Sequence, residues 1–164
     1  MSELNRFMET WEREAKKTTA LLRTLPADKY DFRPDAGGRS LGELAWHLAE
    51  GDGYMTFGIE QGAFNPGARP PGLERPKDVA SLADGYERIH QDAVARVKKL
   101  TPADLDRTVT FFGGQQVTIR DILWDFTVMH NVHHRGQLSL MCRLAGGRPI
   151  GCFGPTREEM PPKA

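Results

Sequence analysis

The stretch Ile119–Leu144, IRDILWDFTVMHNVHHRGQLSLMCRL, decides how the rest of the chain is read. Thr118 precedes it as an N-cap, Asp121 puts an acid in its first turn, and Gly146-Gly147 with Pro149 closes it, so it reads as one long helix. At about 100° per residue, Ile119, Leu123, Phe126, His130, His134, Gln137, Met141 and Leu144 fall in one sector roughly 80° wide. A face this apolar belongs in a core, where Leu, Ile, Val, Phe and Ala are the usual filling. Two imidazoles nevertheless stand on it, four residues apart. His133 lies at its edge, about 60° round from His130 and on the side away from His134.

Imidazoles at i and i+4 project from one helical face toward a common point, which is the geometry of helical metal pairs. The residues between them, Asn131-Val132-His133, lack the Glu of the zinc-protease motif, so that class is excluded. A competent site needs a third donor. His90 stands among charged neighbours, whereas His47, in LAWHLAE, lies on the shoulder of an apolar stripe and is the better candidate. Gly51, one turn further on, is expected to leave room for a metal-bound water or ligand. Burying three imidazoles without partners costs several kcal/mol, which argues for a shared ligand.

Working outward, three more segments carry helical periodicity. Leu4, Phe7, Met8, Trp11, Ala15, Thr18, Leu22 and Leu25 mark a first helix that Pro26 ends. After a loop over Tyr30–Gly38, Ser40-Leu41-Gly42-Glu43 is a capping box opening a second helix, with Leu41, Leu44, Leu48, Met55 and Ile59 on one stripe and its end near Gly58–Gly62. The Pro/Gly-rich run 62–76, GAFNPGARPPGLERP, is a surface crossover rather than a domain boundary. A third helix spans about Val79–Leu100, with Leu82, Tyr86, Ile89, Ala93, Val97 and Leu100 inward. Thr108–Phe112 and Gln115–Thr118 flank Gly113-Gly114 as a short β-hairpin. The expected fold is all-α: a four-helix bundle forming a single domain over 1–164, with a long 2–3 crossover and a hairpin before helix 4.

Composition narrows the function. Lys plus Arg and Asp plus Glu number 22 each among 164 residues, so there is no basic excess to grip a phosphate backbone, and nucleic acid is not the expected partner. No apolar run approaches the roughly 20 residues that span a bilayer, and the N-terminus has no signal-peptide core. Two cysteines are too few for a disulfide scaffold, so the expectation is a cytoplasmic protein with reduced thiols. Cys142 falls about 100° from the histidine stripe and Cys152 beyond the helix, and neither is expected to be a ligand or nucleophile.

FRPDAGGRSLGELAWHLAE (residues 32–50) and HNVHHRGQLSLMCRLAGGRP (residues 130–149) together resemble the DinB/YfiT-like superfamily. The likeness covers nearly all of helices 2 and 4, and its most specific part is the His134-Arg135-Gly136-Gln137 run with the upstream His47. The resemblance implies a four-helix bundle with a divalent metal held at positions matching His47, His130 and His134, the same three that spacing selects. His133, adjacent to His134, leaves the register ambiguous, and the stripe favours His134. Nitrogen donors suit zinc or nickel first and iron as well. The resemblance further implies S-transfer from a small thiol of the bacillithiol, mycothiol or glutathione kind to an electrophilic small molecule. The alternative is a non-catalytic metal-binding, stress-related bundle. A homodimer is also expected, through a second apolar line of Trp124, Val128 and Val132 on helix 4 and Trp46, Gly53 and Phe57 on helix 2.

Overall fold

Ser2 and Ser40 start the first two helices as their side chains dictate. Ser2 accepts a hydrogen bond from the Asn5 N–H, and Ser40 forms a complete capping box with Glu43. In the computed structural model, which describes residues 1–161, these helices are α1 (Glu3–Leu22) and α2 (Leu41–Gln61). Helix α2 ends at Gly62, which adopts the left-handed conformation (φ 74°) that glycine takes without a Cβ penalty. Helix α3 covers Leu82–Val97 and buries Leu82, Tyr86, Ile89, Ala93 and Val97, the face read from the sequence. Strands β1 (Thr108–Thr110) and β2 (Gln116–Thr118) pair antiparallel, Thr108 opposite Thr118, around the two positive-φ glycines Gly113 and Gly114.

The last long helix, α4, runs as three stretches: Ile119–Asp121, a π-helical turn over Ile122–Met129, and His130–Leu144. Among the described residues these four long helices form the bundle, with α2 packed between α3 and α4.

The π turn overrides the helical-wheel reading. Its wider turn takes in an extra residue, so the helix beyond it is rotated by about 100° relative to a continuous α-helix. Thr127 Oγ1 hydrogen-bonds the Ile122 carbonyl five residues back, at 3.1 Å, within this turn. Beyond it the core line is Asn131, Arg135, Leu138 and Cys142, each one residue on from the His130, His134, Gln137 and Met141 of the sequence stripe, of which only Met141 is also buried. Leu144 and Phe126, both expected inward, are exposed. His130 and His134 are thereby moved from the middle of the core to its half-buried flank beside α2. Arg135 takes an inward place and is held there by Glu14, its Nη2 2.5 Å from the carboxylate and its Nη1 2.8 Å from the Glu14 carbonyl.

The surface expected to pair two copies does not exist as an exposed patch. Trp46 is fully buried and donates its indole N–H to the Leu73 carbonyl at 3.1 Å, because the crossover folds back over α2. Leu73 also closes over Gly53, and Val128 lies in the core. Cys142 is completely buried, its Sγ 3.6 Å from the Thr24 carbonyl, and Cys152 is half-buried. No helix among the described residues is long and apolar enough to cross a membrane.

Candidate metal centre

Helix α2 brings His47, and α4 brings His130 and His134, to one point on the flank of the bundle. Their ring centroids lie 4.9 Å (His47–His130), 4.7 Å (His47–His134) and 4.5 Å (His130–His134) apart. One ring nitrogen from each falls within 4.8 Å of the others. His133, one residue away, is exposed and turns its Nε2 to the Gln137 amide nitrogen at 3.1 Å, outside this cluster.

Each clustered ring is oriented by its Nδ1. That atom faces Glu50 Oε2 at 3.2 Å in His47, Asn131 Oδ1 at 3.4 Å in His130 and Gln137 Oε1 at 2.7 Å in His134. With Nδ1–H donated to an oxygen, Nε2 carries the lone pair, which is how outer partners set the tautomer of a metal-ligating histidine. Burial pushes the pKa of His134 down to about 4, and neighbouring imidazoles add to the depression. Burial also lowers His130, reinforced by His47. Both rings are therefore neutral near pH 7, the form a metal requires. The donor set fits a divalent ion of the zinc, nickel or iron kind.

Two further layers hold these rings. Burial pushes the Glu50 carboxyl up, but hydrogen bonds from His47 and Arg75 outweigh it and keep the pKa below the usual range. Gly51 lies beneath His130. A Cβ there would come within 2.6 Å of Asn131 Oδ1 and 3.4 Å of His130 Nδ1. The Asn131 carboxamide stands where a Cβ would sit, and Gly51, bare of a side chain, lines the cavity beside His47 and His130, the room expected of it. Asn131 is in turn fixed by its amide nitrogen, which donates to Asp52 Oδ1 at 2.8 Å and to the Leu48 carbonyl at 3.1 Å.

Asp52, fully buried, also accepts from Trp11 Nε1 at 3.0 Å and Tyr86 OH at 3.1 Å, and faces His90 Nδ1 at 2.8 Å. One carboxylate thus ties together all four long helices. Sequence reasoning missed it, although Asp52 lies midway between Leu48 and Thr56 at helical spacing and so falls on the buried face of α2. Asn131 carried no such mark, because only the π turn directs it inward.

His47 and His130 open onto a cavity of about 390 Å³ lined by apolar Tyr54, Met55, Leu73 and Phe112, with Glu50 and Arg69 as charged members. A larger furrow of about 980 Å³ lies between α1 and α3, but it is more open to solvent, rimmed by Lys16, Arg23, Glu87 and Lys98, and has one histidine, His90, in its lining. Convergent donors, rather than volume, mark the site.

Comparison with known proteins places this geometry in a family. The sequence profile of the DinB superfamily matches residues 10–138. The chain is 31% identical over 157 residues to YrdA of Bacillus subtilis (strain 168), covering 95% of this chain and 91% of that protein. A DinB-like protein of Bacillus cereus ATCC 10987 superposes with a TM-score of 0.74 at 25% identity, covering 88% of this chain and 94% of that one. YfiT of Bacillus subtilis, described as "a probable metal-dependent hydrolase with an unusual four-helix bundle topology", superposes at 0.68 with 15% identity over 89% and 90% of the two chains. At that identity the likeness to YfiT concerns the fold.

Proposed function

The chain belongs to the DinB superfamily, and on that premise we propose that His47, His130 and His134 hold a divalent metal ion, zinc or nickel first, at the mouth of a substrate cavity, and that the protein is a metal-dependent thiol S-transferase. The observation that carries this reading is the convergence of three Nδ1-anchored imidazoles beside an apolar cavity. Three protein donors leave coordination positions for an exogenous ligand, the mark of a catalytic rather than a structural site. Once bound there, the ion would supply a thiolate at neutral pH by lowering the pKa of a coordinated thiol.

The chain's own residues do the rest. Glu50, Asn131 and Gln137 hold the ring orientations, and Tyr54, Met55, Leu73 and Phe112 give a dry wall against which an electrophile can lie. Glu50 is already engaged by His47 and Arg75, so the cavity offers no free carboxylate as a general base. A thiol needs that help less than water does, since its pKa of about 8.5 is already close to neutrality. Transfer forms a C–S bond as the leaving group departs, and the thiol proton goes to solvent.

Metal analysis of purified protein, followed by conjugation assays pairing small thiols with electrophiles, tests the reading. Metal at one equivalent per chain, and conjugation lost on chelation and in His130→Ala, is the expected result. Protein without metal overturns the centre. Metal without conjugation leaves the binding bundle and overturns the transferase. A second reading, metal-dependent hydrolysis, is favoured by the fold shared with YfiT. Ester hydrolysis without thiol, lost in the same variant, would select it.

We further propose that two copies pair through the outer face of α4, where Phe126, Met129, Leu140 and Leu144 are exposed. Leu140→Glu should convert a dimer to a monomer in light scattering, and a wild-type monomer at micromolar concentration would end this idea. Val128→Glu, by contrast, would damage the protein's own core.

A further inference from the structure

We propose that the cavity beside the histidines accepts a small molecule with an apolar body and a carboxylate, and that Arg69 binds the carboxylate. This inference rests on the reading of that cavity as a substrate pocket.

The walls select the body. Tyr54 and Phe112 stack with ring centroids 5.9 Å apart and planes 19° apart, and Met55 and Leu73 complete an apolar surround. The Tyr54 hydroxyl is already donated to the Asn65 carbonyl at 2.9 Å, so the ring, not the polar tip, is what remains for a ligand. A cavity of about 390 Å³ lies near the lower end of the roughly 300–1,000 Å³ range of small-molecule sites. It suits a compact ligand.

The charge selects the head group. Arg69 reaches this cavity from the crossover and also lines the adjoining hollow with Glu74 and Arg75. Arg33, Arg75, Arg120, Arg135 and Arg143 each pair with a carboxylate. Arg69 forms no salt bridge with any described residue. The carboxylate that shares its cavity, Glu50, is held 3.0 Å from Arg75 and 3.2 Å from His47. Arg39, likewise without an ion pair among the described residues, lines a separate, smaller hollow with Asp35 and Gln137. An unpaired guanidinium facing an apolar cavity is matched by a carboxylate, which it can hold through two parallel hydrogen bonds. A phosphate monoester would bring a second negative charge to a wall with one unpaired cation.

Calorimetric titration of 4-phenylbutyrate and its neutral counterpart 4-phenylbutan-1-ol, into metal-free and zinc-treated protein, tests the assignment. The acid should bind about tenfold more tightly than the alcohol in both forms, the strength expected of a charge-assisted pair. Arg69→Gln should abolish that preference without changing alcohol binding, and Arg69→Lys should restore part of it. Arg69 is exposed on the crossover, so these variants keep the fold. Equal binding of acid and alcohol, binding of neither, or a preference that survives Arg69→Gln overturns the proposal. So does an aryl phosphate that binds more tightly than the acid. If zinc does not bind but the Arg69-dependent preference is present, the metal centre fails and this proposal stands.

Discussion

The bundle has two polar clusters built from similar residues and used in opposite ways. Around Asp52, one carboxylate meets Trp11, Tyr86, His90 and Asn131, which fills the roughly four acceptor positions it offers. The spare nitrogen of His90, Nε2, is sealed from solvent and has no hydrogen-bond partner among the described residues. At the flank, each of three imidazoles also fixes its Nδ1 to an oxygen, but the rings are half-buried and their nitrogens converge. Similar histidine chemistry therefore gives a structural tie in one place and the proposed ligand set in the other. What differs is whether the unused nitrogens meet one another. Asn131 joins the two clusters, one end of its carboxamide on His130 and the other on Asp52.

Asp52→Leu attacks the structural cluster and carries the largest expected effect. It strands buried donors on three other helices, and urea denaturation of the metal-free protein should show a loss of about 3–5 kcal/mol. A loss below about 1 kcal/mol, the worth of a single ordinary hydrogen bond, would mean that the two clusters are not so different.

Removing a proposed ligand comes next. His47→Ala, His130→Ala and His134→Ala should each weaken zinc or nickel binding by more than the roughly 100-fold that marks the upper end for outer-layer residues, while His133→Ala leaves it unchanged. Equal losses in all four variants would break the assignment.

Gly51→Ala tests the link between the clusters. The added methyl must displace the Asn131 carboxamide, 2.6 Å from where the Cβ would sit. Metal affinity should fall by about tenfold, the lower end for an outer partner, with a stability cost of about 1–3 kcal/mol from overpacking. An unchanged metal affinity would uncouple the two clusters.

Acid gives the smallest and most graded effect. The folded-state pKa of His134 is about 4, below its ordinary 6.5, so the unfolded chain takes up the proton first. Stability of the metal-free protein from this ring should be complete above pH 6.5 and decline as pH falls from 6.5 toward 4. His134→Ala should flatten that part of the curve in thermal melts between pH 7 and 4. An identical slope in the variant would show that the ring is not held neutral by the fold.

The buried faces of α1 and α3 were legible because their heptad-like spacing runs uninterrupted, and the Ser40–Glu43 box fixed the start of α2 to the residue. The three histidines were legible for a related reason: i, i+4 spacing survives wherever the helix faces. The facing itself was not legible. Arg135, charged and flanked by histidine and glycine, gave no sign that it would be buried against Glu14, 121 residues away.

By itself, then, the sequence determined four helices, the N-caps of the second and fourth, the hairpin turn and the spacing that lets His130 and His134 share a point with His47, because these depend on local backbone geometry and period. Tertiary structure decided which face of α4 is inward, because a π turn of eight residues moves the core line by one position and no residue pattern announces it. It also decided that Asp52 is the common acceptor for the other three long helices, that the crossover covers Trp46, and that Arg69 lines the cavity without a salt bridge to any described residue, since each of these depends on which distant side chains arrive at the same place.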